Sequence, residues 1–197
     1  LSTAVREVFI KLYEDGLIYK GTRMVNWDTE LMSAVSDLEV TLNPEKGKLW
    51  SIKYKTEGSF LTISTTRPET LLGDTAVAVN PEDERYKNLI GKTAVVPLVN
   101  REVPIIADEY VDPEFGSGCV KITPSHDFND YEIGEKHKLE FIQCINLDGT
   151  ISNEDFIPEN LRGKDRFEAR KLIVNDLLKI EQLEKEEDYD IQLPKGD

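Results

Sequence analysis

"KLWSIKYKTEGSFLTISTT", residues 48–66, is two runs of alternating apolar and polar residues, 48–56 and 59–66, either side of Glu57-Gly58. A period of two interrupted by a Gly-containing turn predicts a β-hairpin. The same grammar continues downstream. "TAVAVN" (75–80) reads as a strand, and "TAVVPLV" (93–99) and "VPIIAD" (103–108) form a second hairpin about Asn100-Arg101-Glu102. "GCVKIT" (118–123) and "EFIQCINL" (140–147) are two more strands, and "RMVNWD" (23–28) is a short one near the start. Helical spacing is rarer. It places Val5, Val8, Phe9, Leu12 and Tyr13 on one face of a helix over 3–15, with Ser2 or Thr3 as cap and Gly16 as stop. A short helix is expected near 81–89, one over 127–138, and one over 165–180 with Phe167, Leu172, Ile173 and Leu177 on one side. Many short strands with few helices predict an α+β fold, mainly β: a compact β-barrel-like core decorated by helices. Regular strand–helix alternation, which a doubly wound sheet requires, is missing.

The chain has 197 residues, 39% hydrophobic and 31% charged, and a formal net charge of −14. These values describe a soluble globular protein with ample length for a core. No apolar run reaches the roughly 18 residues of a membrane span, and no signal peptide opens the chain, so a cytoplasmic setting without membrane contact is expected. The start, an amphipathic helix without an initiator Met, suggests a fragment of a longer polypeptide. The negative charge argues against wrapping a nucleic-acid backbone but leaves room for contact with the end of one. "EQLEKEEDYD" (181–190) reads as a solvated acidic tail. Cys119 and Cys144 fit no zinc spacing and are expected to be buried, reduced and inert.

"GSGCVKITPSHDFNDYEIG", residues 116–134, crowds Lys121, Thr123, Ser125, His126, Asp127 and Asp130 at a strand-to-helix junction. Helix capping alone accounts for Asp127, with Asp130 as an acidic N3 partner. One helix start seldom needs two acids, so Asp130 asks for more. An Asp there can receive a substrate ammonium, and Lys121 and Thr123 share a strand face that can orient a small hydroxylated or zwitterionic ligand. His126 invites a metal reading, but His137 lies about three helical turns on and no third ligand is at hand. No serine sits in a nucleophile elbow. In "STTRPETLLGD" (64–74), a capped short helix explains Thr66, Pro68 and Glu69, whereas Arg67 and Thr70 suggest an anion- or hydroxyl-binding rim.

"TTRPETLLGDTAVAVNPEDERY", "LIGKTAVVPLVNREVPIIADEYVD" and "FGSGCVKITPSHDFNDYEIG" together resemble the inserted editing domain of the valyl-tRNA synthetase family. "GLIYKGTRMVNWDTELMSAVSDLEV" is similar to the stretch by which that insertion leaves the catalytic core, and "DRFEARKLIVNDL" to the helix near its return. Nearly the whole chain is covered. The family more often reads "FGTGAVKITPAHD", so Ser117, Cys119 and Ser125 are replacements by similar-sized residues.

The resemblance implies a connecting arm over 1–45, an editing core over 46–163, and a return helix with an acidic segment over 164–197. It implies hydrolysis of threonine wrongly attached to tRNA(Val), with the threonyl group and terminal adenosine bound around Arg67, Thr70, Lys121, Thr123, Asp127 and Asp130. Asp130 would grip the α-ammonium, and Thr65 and Thr66 would line the ester end; for direct hydrolysis, donors such as Lys121 or backbone N–H groups are expected to stabilise the oxyanion. No cofactor or metal is expected for this reaction. ATP would serve only the synthetic site, whose HIGH and KMSKS signatures are not found in these residues. The implied partners are the tRNA acceptor end carrying threonine and the rest of the synthetase. Three other readings stay open: the editing domain of an isoleucyl or leucyl relative, a binding module that does no chemistry, and an unrelated metal hydrolase.

Overall fold

A computed structural model describes residues 2–196; residues 1 and 197, the outer ends of the expected arm and acidic segment, lie outside the described residues. The hairpin of 48–66 forms as β3 (Val40–Thr56) and β4 (Ser59–Thr65), in register from Trp50 opposite Thr65 to Thr56 opposite Ser59. Its alternation is the reason it folds inward. Ile52, Tyr54, Leu61 and Ile63 are buried, while Lys53, Lys55 and Phe60 are not. β5 (Ala76–Val79), β6 (Thr93–Val96), β7 (Arg101–Ala107) and β8 (Cys119–Ile122) extend the sheet. The strand order is β4-β3-β6-β7-β5-β8, with β5 parallel to β7 and the other neighbouring pairs antiparallel. β4 and β8, at the two ends of that order, lie against each other, so the sheet curls into the expected barrel-like form.

One core fills the curl and continues outward to α3 (Arg166–Lys179) through Ala169, Ile173 and Leu177. Each fully buried aliphatic side chain there stabilises the fold by about 1.5–3 kcal/mol. β5 is buried on both faces. Val77 and Val79 join this core, while Ala76 and Ala78 join a smaller one with Ile122 and Ile133 under α2 (Phe128–His137). α1 (Ser2–Glu14) ends as expected, with Gly16 at φ 72°, but it has no buried residue and its apolar face is exposed. A two-stranded ribbon, β1 (Asn26–Asp28) with β2 (Ser33–Val35), links α1 to the sheet.

Five expectations need correction. Residues 181–190 are not a solvated tail: Leu183–Gly196 is β9, paired antiparallel along β3 from Val40 to Ile52. Its acids meet β3 lysines, Lys46 to Asp190 at 2.6 Å and Lys48 to Asp188 at 2.8 Å. "EFIQCINL" is extended but forms no strand, only an isolated bridge from Ile145 to Ile151, because Cys144 N–H turns to the His126 ring instead of a neighbouring strand. The second turn falls earlier than expected. Arg101 and Glu102 belong to β7, held there as Arg101 Nη1 donates to the Leu72 and Asp74 carbonyls, and left-handed Leu98 and Asn100 make the bend. Residues 81–89 supply only a 3₁₀ turn at Lys87–Leu89. Phe167 lies off the buried face of α3, half-exposed beneath the guanidinium groups of Arg166 and Arg170.

The loop between β7 and β8 closes on β4. Gly116, at φ 58°, makes the contact: a Cβ there would come within 3.2 Å of the Ser64 side chain, so glycine suits this approach. It brings Tyr110 and Phe115 to the mouth of the cavity described next.

Candidate functional site

The end of β4, the 3₁₀ turn Pro68–Gly73, the end of β8 and the start of α2 surround a cavity of about 360 Å³. All eight residues singled out in the sequence line it: Thr65, Thr66, Arg67, Thr70, Lys121, Thr123, Asp127 and Asp130. Residues some fifty positions apart meet here because β5 lies beside β8 in the sheet and carries the preceding turn with it.

The floor is a closed hydrogen-bond network. Lys121, 7% exposed, donates from Nζ to Thr70 Oγ1 at 2.8 Å, to Asp74 Oδ1 at 3.0 Å and to Thr123 Oγ1 at 2.5 Å. An ammonium has three N–H groups, so all of them are engaged inside the protein. Thr123 Oγ1 passes its own hydrogen to Asp74 at 2.6 Å, and Thr70 Oγ1 passes its hydrogen to the Arg67 carbonyl at 3.0 Å. Tyr54 Oη completes the set on Asp74 at 2.5 Å. Burial raises the Asp74 carboxyl above its ordinary value, against the pull of Lys121, Thr123 and Tyr54. A group that accepts from three donors is nevertheless matched to the carboxylate form. The hydroxyls of Thr70 and Thr123 thus face a ligand with spare lone pairs rather than hydrogens.

Asp130 is buried in the first turn of α2, and its Oδ2 accepts from the Thr123 backbone N–H at 2.8 Å. It does not reach back to Asp127 as a capping-box partner would. Burial pushes its carboxyl up to about 6, although Lys121 and the Thr123 N–H pull the other way. Asp127 does cap the helix, accepting from Asn129 N at 2.9 Å and Asp130 N at 3.2 Å, and also lines the cavity. Arg67 stands at the rim. Its Nη1 donates to the His126 carbonyl at 2.8 Å, and its Nε lies 3.7 Å from Glu69, which Arg170 holds through two 2.7 Å bonds.

His126 is a wall rather than a ligand. Its Nε2 accepts from Cys144 N–H at 3.0 Å, and burial, with the charges of Arg67 and Lys121, holds the imidazole down at about 3. Among the described residues no group of three His, Cys, Asp or Glu side chains is placed to hold a metal ion. Both cysteines are free and buried, and burial pushes Cys119 up to about 11 and Cys144 to about 12, so both stay as thiols. Sequence reasoning missed Asp74, Tyr110 and Asn129. Asp74 had a signal, since a lone acid in "LLGDTAVAV" must be buried with its neighbours and so needs partners. Tyr110 and Asn129 carried none, being ordinary surface residues until the loop folds over the cavity.

Comparison with known proteins places the chain in a family and supports the fold. The family described as tRNA synthetases class I (I, L, M and V) matches residues 1–175. A valine–tRNA ligase of Dechloromonas aromatica (strain RCB) is 54% identical over the whole chain, which spans 21% of that ligase's length. Among solved structures, the ternary complex of Agrobacterium radiobacter K84 agnB2 LeuRS-tRNA-LeuAMS aligns with a TM-score of 0.53 at 17% identity, over 94% of this chain and 31% of that one. The crystal structure of GlLeuRS-CP1 aligns with a TM-score of 0.53 at 13% identity, over 70% of this chain and 98% of that one. At those identities the two structures speak for the fold alone, whereas the sequence match over residues 1–175 decides the family: the chain belongs to the class I tRNA synthetases (I, L, M and V).

Proposed function

We propose that this chain is the editing portion of a valine–tRNA ligase, hydrolysing threonine esterified to tRNA(Val). One observation carries the reading: a single cavity gathers an acceptor-rich floor from Thr70, Thr123 and Asp130 beneath a rim that holds Arg67. A threonyl ester brings an ammonium and a side-chain hydroxyl, which are the donors such a floor lacks. Valine in its place leaves buried acceptors unpaired, at about 1–3 kcal/mol each. Valyl synthetases are the known example of why this matters, since an apolar pocket rejects the extra hydroxyl of threonine only about 10²-fold. A site that hydrogen-bonds the hydroxyl can discriminate by about 10⁴–10⁵.

In this reading Asp130 receives the ammonium, and Lys121 aims the lone pairs of Thr70 and Thr123 at the hydroxyl. Thr65, Thr66 and Asp127 border the ester and the terminal ribose. Water attacks the carbonyl carbon, the bond to the ribose oxygen breaks, and that oxygen takes up a proton as threonine leaves. Because Lys121 spends its N–H groups within the protein, Arg67 and backbone N–H groups support the developing oxyanion, and Lys121 acts on it through Thr70 and Thr123. Clamping an already reactive ester beside water supplies much of the rate without metal or cofactor.

The test is deacylation of threonyl-, valyl- and isoleucyl-tRNA by the chain. Threonyl-tRNA is consumed fastest, EDTA changes nothing, and Asp130→Asn slows hydrolysis about 10- to 100-fold, as expected for loss of a charge-assisted bond of about 1.5–3 kcal/mol. Preference for valyl- or isoleucyl-tRNA would assign a relative's editing reaction. Binding without hydrolysis would make the chain a binding module, and loss in EDTA restored by zinc would require a metal.

A further inference from the structure

The run "NPEDERY", residues 80–86, follows β5, and none of it lines the cavity. Three of its side chains nevertheless converge on one target. Asn80 Nδ2 donates to the Val111 carbonyl, Arg85 Nη2 to the Pro113 carbonyl and Tyr86 Oη to the Ser117 carbonyl, each at 2.7 Å. All three acceptors belong to the loop between β7 and β8, which carries Tyr110 and Phe115 to the cavity mouth. The donors are themselves fixed. Asn80 Oδ1 accepts from Glu82 N at 2.9 Å, and the buried Asp83 grips Arg85 through Nε at 2.9 Å and Nη2 at 2.6 Å. Gly118, at φ 76°, leaves room for that guanidinium, since a Cβ there would run into Arg85 Nη2 and the Pro113 carbonyl.

The loop has little else to hold it. Of residues 109–117 only Val111 is buried, and Tyr110 and Phe115 are half-exposed. A segment with one apolar anchor takes its position from its hydrogen bonds and loosens when they go. The floor groups Thr70, Thr123 and Asp130 stand on other elements and do not depend on it. We propose that Asn80, Arg85 and Tyr86 are positioning residues for the ligand of this cavity: through the Val111, Pro113 and Ser117 carbonyls they fix Tyr110 and Phe115 as the aromatic walls against which an aminoacyl ester packs. The proposal rests on the editing reading for the nature of the ligand, but it concerns binding and has its own residues. The rings meet the body of the ligand and not the carbonyl under attack, so they stabilise ground state and transition state alike. Their displacement raises KM and leaves kcat unchanged.

The experiment compares deacylation of threonyl-tRNA by the chain with that by Asn80→Asp, Arg85→Lys and Tyr86→Phe. The first keeps the acceptor for Glu82 N but loses the amide donor, the second keeps the charge beside Asp83 but loses the fork, and the third loses only a hydroxyl. Each raises KM about three- to tenfold, as expected for one hydrogen bond that orders a loop, with kcat within about twofold of the parent. Glu84→Gln, in the same run but paired with Lys87, changes neither constant. In a Tyr110→Ala/Phe115→Ala background Tyr86→Phe adds less than about twofold, because the rings it positions are gone. A loss confined to folding lowers the active fraction, and so kcat at unchanged KM, and persists in that background; either result overturns the proposal. Calorimetry with 3′-deoxy-3′-threonylamidoadenosine, an amide in place of the ester, reads binding without cleavage, and its Kd rises in step with KM. If the amide binds parent and variants equally, or does not bind the parent, the positioning role falls whatever the hydrolysis shows. If its affinity follows the variants but no threonyl ester is cleaved, the positioning role stands and the editing reading falls.

Discussion

At Asp74 a fully buried carboxylate meets Tyr54, Thr123 and Lys121, and it fixes the aim of the Lys121 ammonium and the Thr123 hydroxyl. Breaking a buried ion pair by removing one partner typically costs about 3–5 kcal/mol, because the other charge is left unpaired. Asp74→Asn and Lys121→Met should each destabilise by about that much in urea unfolding. The double variant should lose clearly less than their sum, since it removes both charges together. Additive losses would show that the two side chains act independently. Asp130 is predicted from its titration. Burial raises its folded carboxyl to about 6, above the roughly 3.9 of an unfolded one. A raised carboxyl contributes stability that is present below the unfolded value and is lost as pH rises through about 6. Asp130→Asn is therefore more stable than the parent at pH 7, on the order of 2–3 kcal/mol at about 1.4 per pH unit, and the gain shrinks toward pH 4. Deacylation by the parent should rise with pH through about 6 as the ammonium receptor ionises. A stability curve parallel to the variant's at every pH would refute this. The residue types at the site were legible in the sequence. Asp74 was not singled out, because its weight comes from burial and from three donors contributed by distant strands.

Among the elements, β3 shows how far local pattern reaches. Its half that pairs with β4 follows a strict alternation, and the chain turns back at Glu57-Gly58, so pattern and partner are neighbours in sequence. Its other half pairs with β9, more than a hundred residues away, whose string of acids carries no strand signal. Pairing comes from backbone bonds along an edge that would otherwise stay open, with Lys46 and Lys48 matched to acids across it. Truncation after Gln182 should cost on the order of 2–4 kcal/mol through the half-buried Leu183, Ile191 and Leu193, expose β3 amides to hydrogen exchange, and promote aggregation. Raising salt to 1 M should leave those amides protected, since exposed ion pairs are screened but the ladder is not. Exchange of β3 amides in high salt would show that charge, not the ladder, holds β9.

Over the whole molecule, the curled sheet and α3 share a core, whereas α1 buries nothing and the β1–β2 ribbon, strand-paired only with itself, is tied to the rest by single bonds such as Trp27 Nε1 to the Leu147 carbonyl. Trypsin should therefore cut after Lys11, Lys20 or Arg23 long before any site within the sheet, leaving a resistant fragment whose melting temperature is within about 2 °C of the parent's. Early cleavage in β3 or β4 would mean that the arm supports the barrel. The sequence by itself determined the mainly-β class, the 48–66 hairpin, the helix start at Asp127 and, by pattern and family resemblance, eight of the residues that line the cavity. All of these depend on periodicity, capping or motif within a few neighbouring positions. Tertiary structure alone decided that an acidic run is a strand, that Lys121 has no hydrogen to spare, that Asp74 gathers Tyr54, Lys121 and Thr123, and that three side chains of 80–86 reach one loop. Those outcomes rest on which distant segments exclude water from one another, and that is a property of the closed sheet.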